Sequence, residues 1–449
     1  MEPGDPRGGT ADRPRGAGSG PGAAVRAPSP TLAVHGGRPV RDERCPWPVW
    51  PVAAPGASAA LDAVLHSGSW ALTSPYREEL QERRFARKFA DYVGTEHCVP
   101  TDHGSSALVI ALESLGLRYA DPVLVPALTW AASATAVLRA GLVPVLADVD
   151  PATGCLDPSA LAGESELGAV IAVHWACNMA DVPAISAAAS PLGAAVIEDA
   201  AQAHGARWQG RPAGSLGVAG CFSMQHSKVL TCGEGGAVVT DDAERAGLLE
   251  ELRADSRRYR EDPVRGELPL RESATTMGAN FCLSEFGAAL LCAQLDVLDE
   301  QHTIRNRNYA TLGRLLADVP GVRLLTRRPA QDRLSLYEVP LVFDPLPQDG
   351  TNVWVATALT AETGMRAYPP RPPLSRSHLL APWAKPTLAP LAERFTQWNA
   401  GRRFDGAEYL SHHAVLLHHS AFLGTEEDMF DMADAVKKIT LYIAAGRPA

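Results

Sequence analysis

FSMQHSKVLTCGEGG, residues 222 to 236, sets one amine, Lys228, five residues after a hydroxyl, Ser223, and just ahead of a glycine-rich turn. An amine so placed can condense with a carbonyl to a Schiff base, and small residues beside it let backbone approach a bound group closely. VIEDAAQAHG places a carboxylate, Asp199, just past an apolar run, and an amide, Gln202, about one helical turn further on. HGSSAL, residues 103 to 108, follows the strand-like CVPT and opens a helical pattern. The N–H groups of Gly104, Ser105 and Ser106, with the two serine hydroxyls, can there receive an anion at a helix N-terminus. PALTWAAS sets Trp130 after a strand end, where an indole can lie flat against another ring.

Together these residues meet the needs of pyridoxal phosphate. The cofactor requires an amine for its aldehyde (Lys228), an acid beside its ring nitrogen (Asp199), and a partner for its ring oxygen (Gln202). It also requires anion ligands for the phosphate (Gly104, Ser105, Ser106, Ser223) and a flat group against the ring (Trp130). Singly, each has an ordinary reading: a solvated lysine, an N-capping aspartate, a generic helix start, a core or interface tryptophan. Their order along one alternating pattern favours the site. The GEGG turn also serves as a tight connection with positive φ, and Glu234 reads as a structural partner in it rather than a catalytic group.

Two other clusters carry less. The doublets His412-His413 and His418-His419 lack a nearby carboxylate or thiol to complete a metal site, so they read as surface or interface histidines and no metal is expected. The arginines of DSRRYREDPVRG alternate with acids and read as a solvated loop, from which one arginine could hold a substrate carboxylate.

The formal net charge of −10 disfavours nucleic acid and anionic membranes as partners. No apolar run is long enough to cross a bilayer. Eight cysteines without C-x-x-C pairs, and an N-terminus without the apolar core of a secretory signal, point to reduced thiols in a cytoplasm.

Residues 1 to 30, rich in Gly, Pro, Ala and Arg, read as a disordered tail. Residues 31 to 300 read as a large domain preceded by an arm. In the arm, ASAALDAVLHSG predicts a helix closed at Gly68, and YREELQERRFARKFADYVG predicts one ending at Gly94. Thereafter short apolar runs alternate with helical patterns, which predicts an α/β fold with a mostly parallel sheet covered on both faces and ligands at the strands' carboxyl ends. The long amphipathic stretch beginning SEFGAALL leads from this domain into a smaller α/β unit over residues 301 to 449.

VIEDAAQAHGA, CFSMQHSKVLTCGEGGAVVTDD and MGANFCLSEFGAALLCAQL together resemble the DegT-type pyridoxal-phosphate sugar aminotransferases. The resemblance covers most of residues 32 to 440 and implies the aspartate aminotransferase (fold type I) architecture. HGGRPVR, LVPALTWAASA, LADVDPATGCLD, LRADSRRY and HHSAFLGTEEDM look nearest, within the family, to the glutamine-dependent scyllo-inosose and 2-deoxy-scyllo-inosose aminotransferases of aminocyclitol antibiotic biosynthesis. The 3-amino-5-hydroxybenzoate synthases share much of the pattern. By resemblance Lys228 is the Schiff-base lysine, Asp199 the partner of the ring nitrogen, Gln202 the ring-oxygen contact and Ser223 a phosphate ligand. The resemblance also makes Asn280 a phosphate ligand given across a homodimer interface. His103 departs from the family's usual serine, and RYADPVLVP lacks its usual Gly-Asp turn. Some relatives with histidine in place of this lysine are dehydratases, so Lys228 argues for transamination.

The expected reaction is ping-pong transfer of an amino group from L-glutamine or L-glutamate to a cyclic ketone, with Lys228 as general base. A ketocyclitol is the first choice of ketone and a nucleotide-linked keto sugar the second. Aromatising dehydration of an aminated cyclohexenone is a third, and a regulatory protein that binds the cofactor without turnover is the alternative of another class.

Overall fold

The computed structural model describes residues 31–42, 44–447 and 449. The tail expected over residues 1 to 30 lies outside them. Two helices come first, α1 (Ala57–Ser67) and α2 (Gln81–Val93), each closed by a glycine in the left-handed region, Gly68 and Gly94. α2 starts later than its sequence pattern suggests. The carboxylate of Glu285, from a helix far along the chain, accepts the N–H groups of Gln81 (2.6 Å) and Glu82 (3.0 Å), and so fixes the start of the helix from outside.

Alternation then follows as expected: β1 (His97–Thr101), α3 (Gly104–Glu113), β2 (Pro122–Pro126), α4 (Ala132–Arg139), β3 (Val143–Ala147), β4 (Ala169–Val173), α5 (Val182–Ala189) and β5 (Ala195–Asp199). A small hairpin, β6 (Arg207–Trp208) and β7 (Arg211–Pro212), precedes β8 (Ala219–Ser223), β9 (Gly236–Thr240) and α6 (Ala243–Arg253). The main sheet has seven strands in the order β1-β9-β8-β5-β4-β2-β3. β3, β2, β4, β5 and β8 run parallel, and β9 pairs antiparallel with both β8 and β1. VPVLA and AVIAV are buried at every position, because helices cover both faces of this sheet.

β10 (Arg257–Tyr259) and β11 (Leu270–Glu272) form an antiparallel ribbon, so the arginine-rich stretch is not simply a solvated loop. Two of its arginines pair with carboxylates: Arg258 donates to Glu251 (2.5 Å) and Arg257 to Asp255 (3.1 Å). α7 (Glu285–Leu316) follows, capped by the Ser284 hydroxyl. It runs unbroken through residue 300 into a second layer, β12 (Val322–Leu324), β13 (Gln331–Arg333), β14 (Glu338–Phe343), α8 (Asn352–Thr363), β15 (Ala367–Tyr368), α9 (Ala389–Asn399), α10 (Asp405–His413), β16 (Ala414–His418) and α11 (Glu426–Ala444). Here β12, β14, β16 and β15 make an antiparallel sheet, with α8, α11 and the end of α7 on one apolar face. The chain also folds back on the main sheet. Asn399 accepts the N–H of Leu146 (2.7 Å) and donates to the carbonyl of Pro144 (3.0 Å), which covers the edge strand β3.

A buried ionic cluster ties α2 to α6. Glu82 and Arg253 are both 0 % exposed and paired, and Arg83 donates to Glu82 (2.6 Å) and Glu250 (2.8 Å). Burial pushes the Glu82 carboxyl up, but the charges of Arg83 and Arg253 prevail and bring its pKa to about 2 from 4.5. Folding therefore favours the ionised form. Its contribution is complete above about pH 4.5 and is lost as pH falls towards about 2, a change of roughly 3 kcal/mol. Urea titrations over that window should show a steep loss of stability in the wild type. Glu82→Gln should be less stable at neutral pH, with a flatter acid slope; equal slopes would disprove the assignment.

Candidate active site

Asp199, Ser223 and the start of α3 meet at the carboxyl edge of the main sheet, where ligands of such sheets gather. Thr101, Gly236 and Ser223 are neighbours in register across β1, β9 and β8. α3 begins three residues after Thr101, pressed against them. A Cβ on Gly104 would lie 2.6 Å from Ser223 Cβ, and one on Gly236 would lie 2.5 Å from the His103 carbonyl carbon. Glycine is thus required at both positions by close backbone approach. The result is a helix N-terminus beside the Ser223 hydroxyl, with Ser105 half-buried and Ser106 buried in its first turn.

Asp199 ends β5 and is 6 % exposed. One carboxylate oxygen accepts Ser133 Oγ at 2.7 Å, and the other accepts the N–H of Ala201 at 3.2 Å. Since the Ser133 hydroxyl proton goes to Asp199, the 3.0 Å contact between Ser133 and Thr129 is donated by Thr129. Two hydroxyls in series therefore fix the carboxylate. Gln202 commits its Oε1 to the N–H of Ala176 (2.6 Å), a residue at φ 60°. Only its NH₂ group is left to serve a ring oxygen.

Lys228 is half-buried on a loop held from several sides. Its N–H donates to the Gln225 carbonyl (2.8 Å), and Gln225 Oε1 accepts both the N–H (2.9 Å) and the hydroxyl (2.8 Å) of Ser227. Tyr337 OH reaches Ser227 Oγ (3.1 Å), and the Tyr337 ring centroid lies 3.9 Å from Lys228 Nζ. The GEGG turn closes the loop through Met224 N–H to Gly235 O (2.8 Å) and His226 N–H to Gly233 O (2.7 Å), with Gly233 at φ 93°. Behind it His419 Nε2 meets the Ser227 carbonyl (3.1 Å), while its Nδ1 meets Arg305 Nη2 (3.2 Å). A carbonyl accepts and a guanidinium donates, so His419 carries its proton on Nε2. His419 and Arg305 are each 0 % exposed, which corrects the reading of that histidine as a surface group; His412 is exposed. Burial, and then the nearby Lys228 charge, lower the His204 pKa to about 3, so this imidazole is neutral at working pH.

Trp130 is 46 % exposed, with the Arg371 guanidinium 4.3 Å from its ring centroid. Asn280 is exposed, and its Oδ1 accepts the N–H of Cys282 (3.2 Å). His103 caps α3 from an extended conformation; its ring lies 3.3 Å from Asp102 and 3.5 Å from Glu234. Sequence reasoning missed Tyr337, Glu338, Tyr368, Arg305 and His419. All come from beyond residue 300: Tyr337 meets Lys228 itself, His419 the loop that carries it with Arg305 behind, and Tyr368 pairs with Glu338, all through tertiary packing.

Comparison with known proteins agrees with this geometry. Residues 56–381 match the model of the DegT/DnrJ/EryC1/StrS aminotransferase family. The chain belongs to that family. It is 46% identical over 418 residues to the L-glutamine:2-deoxy-scyllo-inosose aminotransferase of Streptoalloteichus tenebrarius, covering 91% of this chain and 97% of the relative. It is 41% identical over 419 residues to the L-glutamine:scyllo-inosose aminotransferase of Streptomyces griseus, with the same coverage. The crystal structure of 3-amino-5-hydroxybenzoic acid synthase superposes with a TM-score of 0.76 at 29% identity, over 88% of this chain and 99% of that one. The protein is thus an aminotransferase of the fold type I architecture, and its cofactor is pyridoxal phosphate. The residues present fit that group: an amine, a buried carboxylate, and a helix N-terminus that the absence of a Cβ at Gly104 lets sit against Ser223.

Proposed function

We propose that this enzyme transfers the amino group of L-glutamine to a ketocyclitol of the 2-deoxy-scyllo-inosose or scyllo-inosose kind, as a step of aminocyclitol antibiotic formation. The observation that carries the reading is Lys228 on a loop fixed by its own backbone, together with a buried, hydroxyl-fixed Asp199, in a chain so similar to enzymes named for that reaction. When bound, pyridoxal phosphate supplies an electron sink for the carbon that bears the amino group. Lys228 would hold the cofactor through its aldehyde, and its amine would serve as the base that moves the proton from the donor's Cα. The Asp199 carboxylate, fixed by Ser133 and Ala201, would support the positive charge of the ring nitrogen. The Gln202 NH₂ serves the ring oxygen. The N–H groups of Gly104, Ser105 and Ser106 receive the phosphate with the hydroxyls of Ser105, Ser106 and Ser223. Trp130 gives the flat face. The ketone half runs the same proton step in reverse.

The reading includes a homodimer in which Asn280 serves the partner's phosphate; its exposed position is compatible with this. Eight unpaired cysteines support a cytoplasmic setting. Among the described residues no helix is long and apolar enough to cross a membrane. Mixing inactive Lys228→Ala chains with weakened Asn280→Ala chains tests the shared site. Mixed dimers should recover up to about a quarter of wild-type activity, since half the dimers are mixed and each holds one intact site. Recovery no greater than the sum of the two parents would refute sharing. The substrate assignment is tested with the purified holoenzyme, L-glutamine and a panel of ketocyclitols and nucleotide-linked keto sugars, with products identified by mass; amination confined to the nucleotide sugars would overturn it.

A further inference from the structure

The mouth of the site is formed by the second layer of the chain, and its chemistry bears on the ketone. Glu338 opens β14 directly after Tyr337, whose ring lies against Lys228 Nζ. Its Oε1 accepts the hydroxyl of Tyr368, on β15, at 2.9 Å. Among the described residues no ion pair engages the carboxyl, and its second oxygen is left to accept from something else. Arg371, three residues after Tyr368, brings its guanidinium over the Trp130 ring, 4.3 Å from the centroid. Burial raises the Glu338 pKa, against the opposing effects of the Tyr368 hydrogen bond and the charges of Lys228 and Arg371, so the carboxyl lies within electrostatic reach of both cations.

A half-buried carboxylate whose second oxygen has no partner needs donors for that oxygen. An amino acid's own carboxylate is repelled by it. A ring bearing several hydroxyls offers O–H donors at fixed spacing, and a charge-assisted O–H···O⁻ bond is among the stronger polar contacts.

We propose that Glu338, oriented by Tyr368, accepts a hydrogen bond from a ring hydroxyl of the ketone substrate and thereby selects a polyhydroxylated ring over an unsubstituted one. The assignment rests on the reading of the chain as an aminotransferase of a cyclic ketone, and the test separates the two.

The holoenzyme is titrated by calorimetry with myo-inositol, a cyclic polyol with no carbonyl to react. The Glu338→Ala, Glu338→Gln and Tyr368→Phe proteins are titrated alongside. Wild type should bind the polyol, and Glu338→Ala should bind it about 10- to 100-fold more weakly, the range of one lost hydrogen bond to a charged group. Glu338→Gln keeps the side-chain shape and the Tyr368 contact; it should retain the wild-type melting temperature and fall between the two, as should Tyr368→Phe. In the half-reactions, the KM for the hydroxylated ketone should rise by the same factor, while the KM values for cyclohexanone and glutamine change less than about fivefold. Polyol binding unaltered in Glu338→Ala overturns the proposal, as does an equal loss with polyol, cyclohexanone and glutamine. Failure of wild type to aminate any cyclic ketone would count against the parent reading, and the polyol titration would still decide the role of Glu338.

Discussion

Lys228→Ala is expected to abolish the covalent link to the cofactor and to lower turnover by at least about 10³-fold, since the proposed mechanism uses one amine both as anchor and as proton carrier. The change should be local. The loop is held through the Lys228 N–H, the Ser227 hydroxyl and carbonyl, and the Gly233 and Gly235 carbonyls, none of which belongs to the lysine side chain. The variant should therefore retain its melting temperature and still bind pyridoxal phosphate through the phosphate cradle, without the covalent adduct trapped by borohydride in wild type. Borohydride reduction followed by mass measurement of the intact chain checks this. An unchanged adduct on the Lys228→Ala chain would remove the lysine from its role.

Asp199→Asn should be the second most damaging change. The amide is nearly isosteric and can still meet Ser133 and the Ala201 N–H, so folding should persist. What is lost is the negative charge proposed to support the ring nitrogen. Removal of one preorganised electrostatic partner commonly costs about 10² to 10³ in kcat. The loss should fall on kcat in both half-reactions, with KM values altered much less. Ser133→Ala, which leaves the carboxylate in place but frees one oxygen, should cost clearly less. A full-rate Asp199→Asn enzyme would show that the carboxylate does not support the ring.

The parts of this site legible in the sequence are those written on short segments where a strand gives way to a loop or helix. Asp199, HGSSAL and Trp130 each follow an apolar run, and the parallel sheet gathers such ends on one edge whatever the details of packing. The GEGG reading also holds in part, with Gly233 at positive φ and Gly236 pressed on the His103 backbone. What was not legible depends on contacts between distant residues. Ser227 meets Tyr337 across 110 positions and His419 across 192. His419 is the clearest case: its doublet reads as surface or interface, yet the buried guanidinium of Arg305 and the Ser227 carbonyl occupy its two nitrogens. Glu338 left one trace in the sequence, a charged residue at the opening of the apolar strand VPLVF. The late start of α2 has the same origin, since the carboxylate that caps it belongs to Glu285, 204 positions from Gln81.

The central claim is that one site takes an amino group from glutamine and gives it to a cyclic ketone. It is tested most directly by stoichiometric half-reactions of the holoenzyme, followed through the absorbance of the bound cofactor. L-Glutamine alone should convert the cofactor fully, with one equivalent of 2-oxo acid released per site. Addition of 2-deoxy-scyllo-inosose should then restore the starting spectrum and yield one equivalent of the aminocyclitol. A cofactor spectrum unmoved by glutamine or glutamate, or one restored only by a nucleotide-linked keto sugar, would contradict the account.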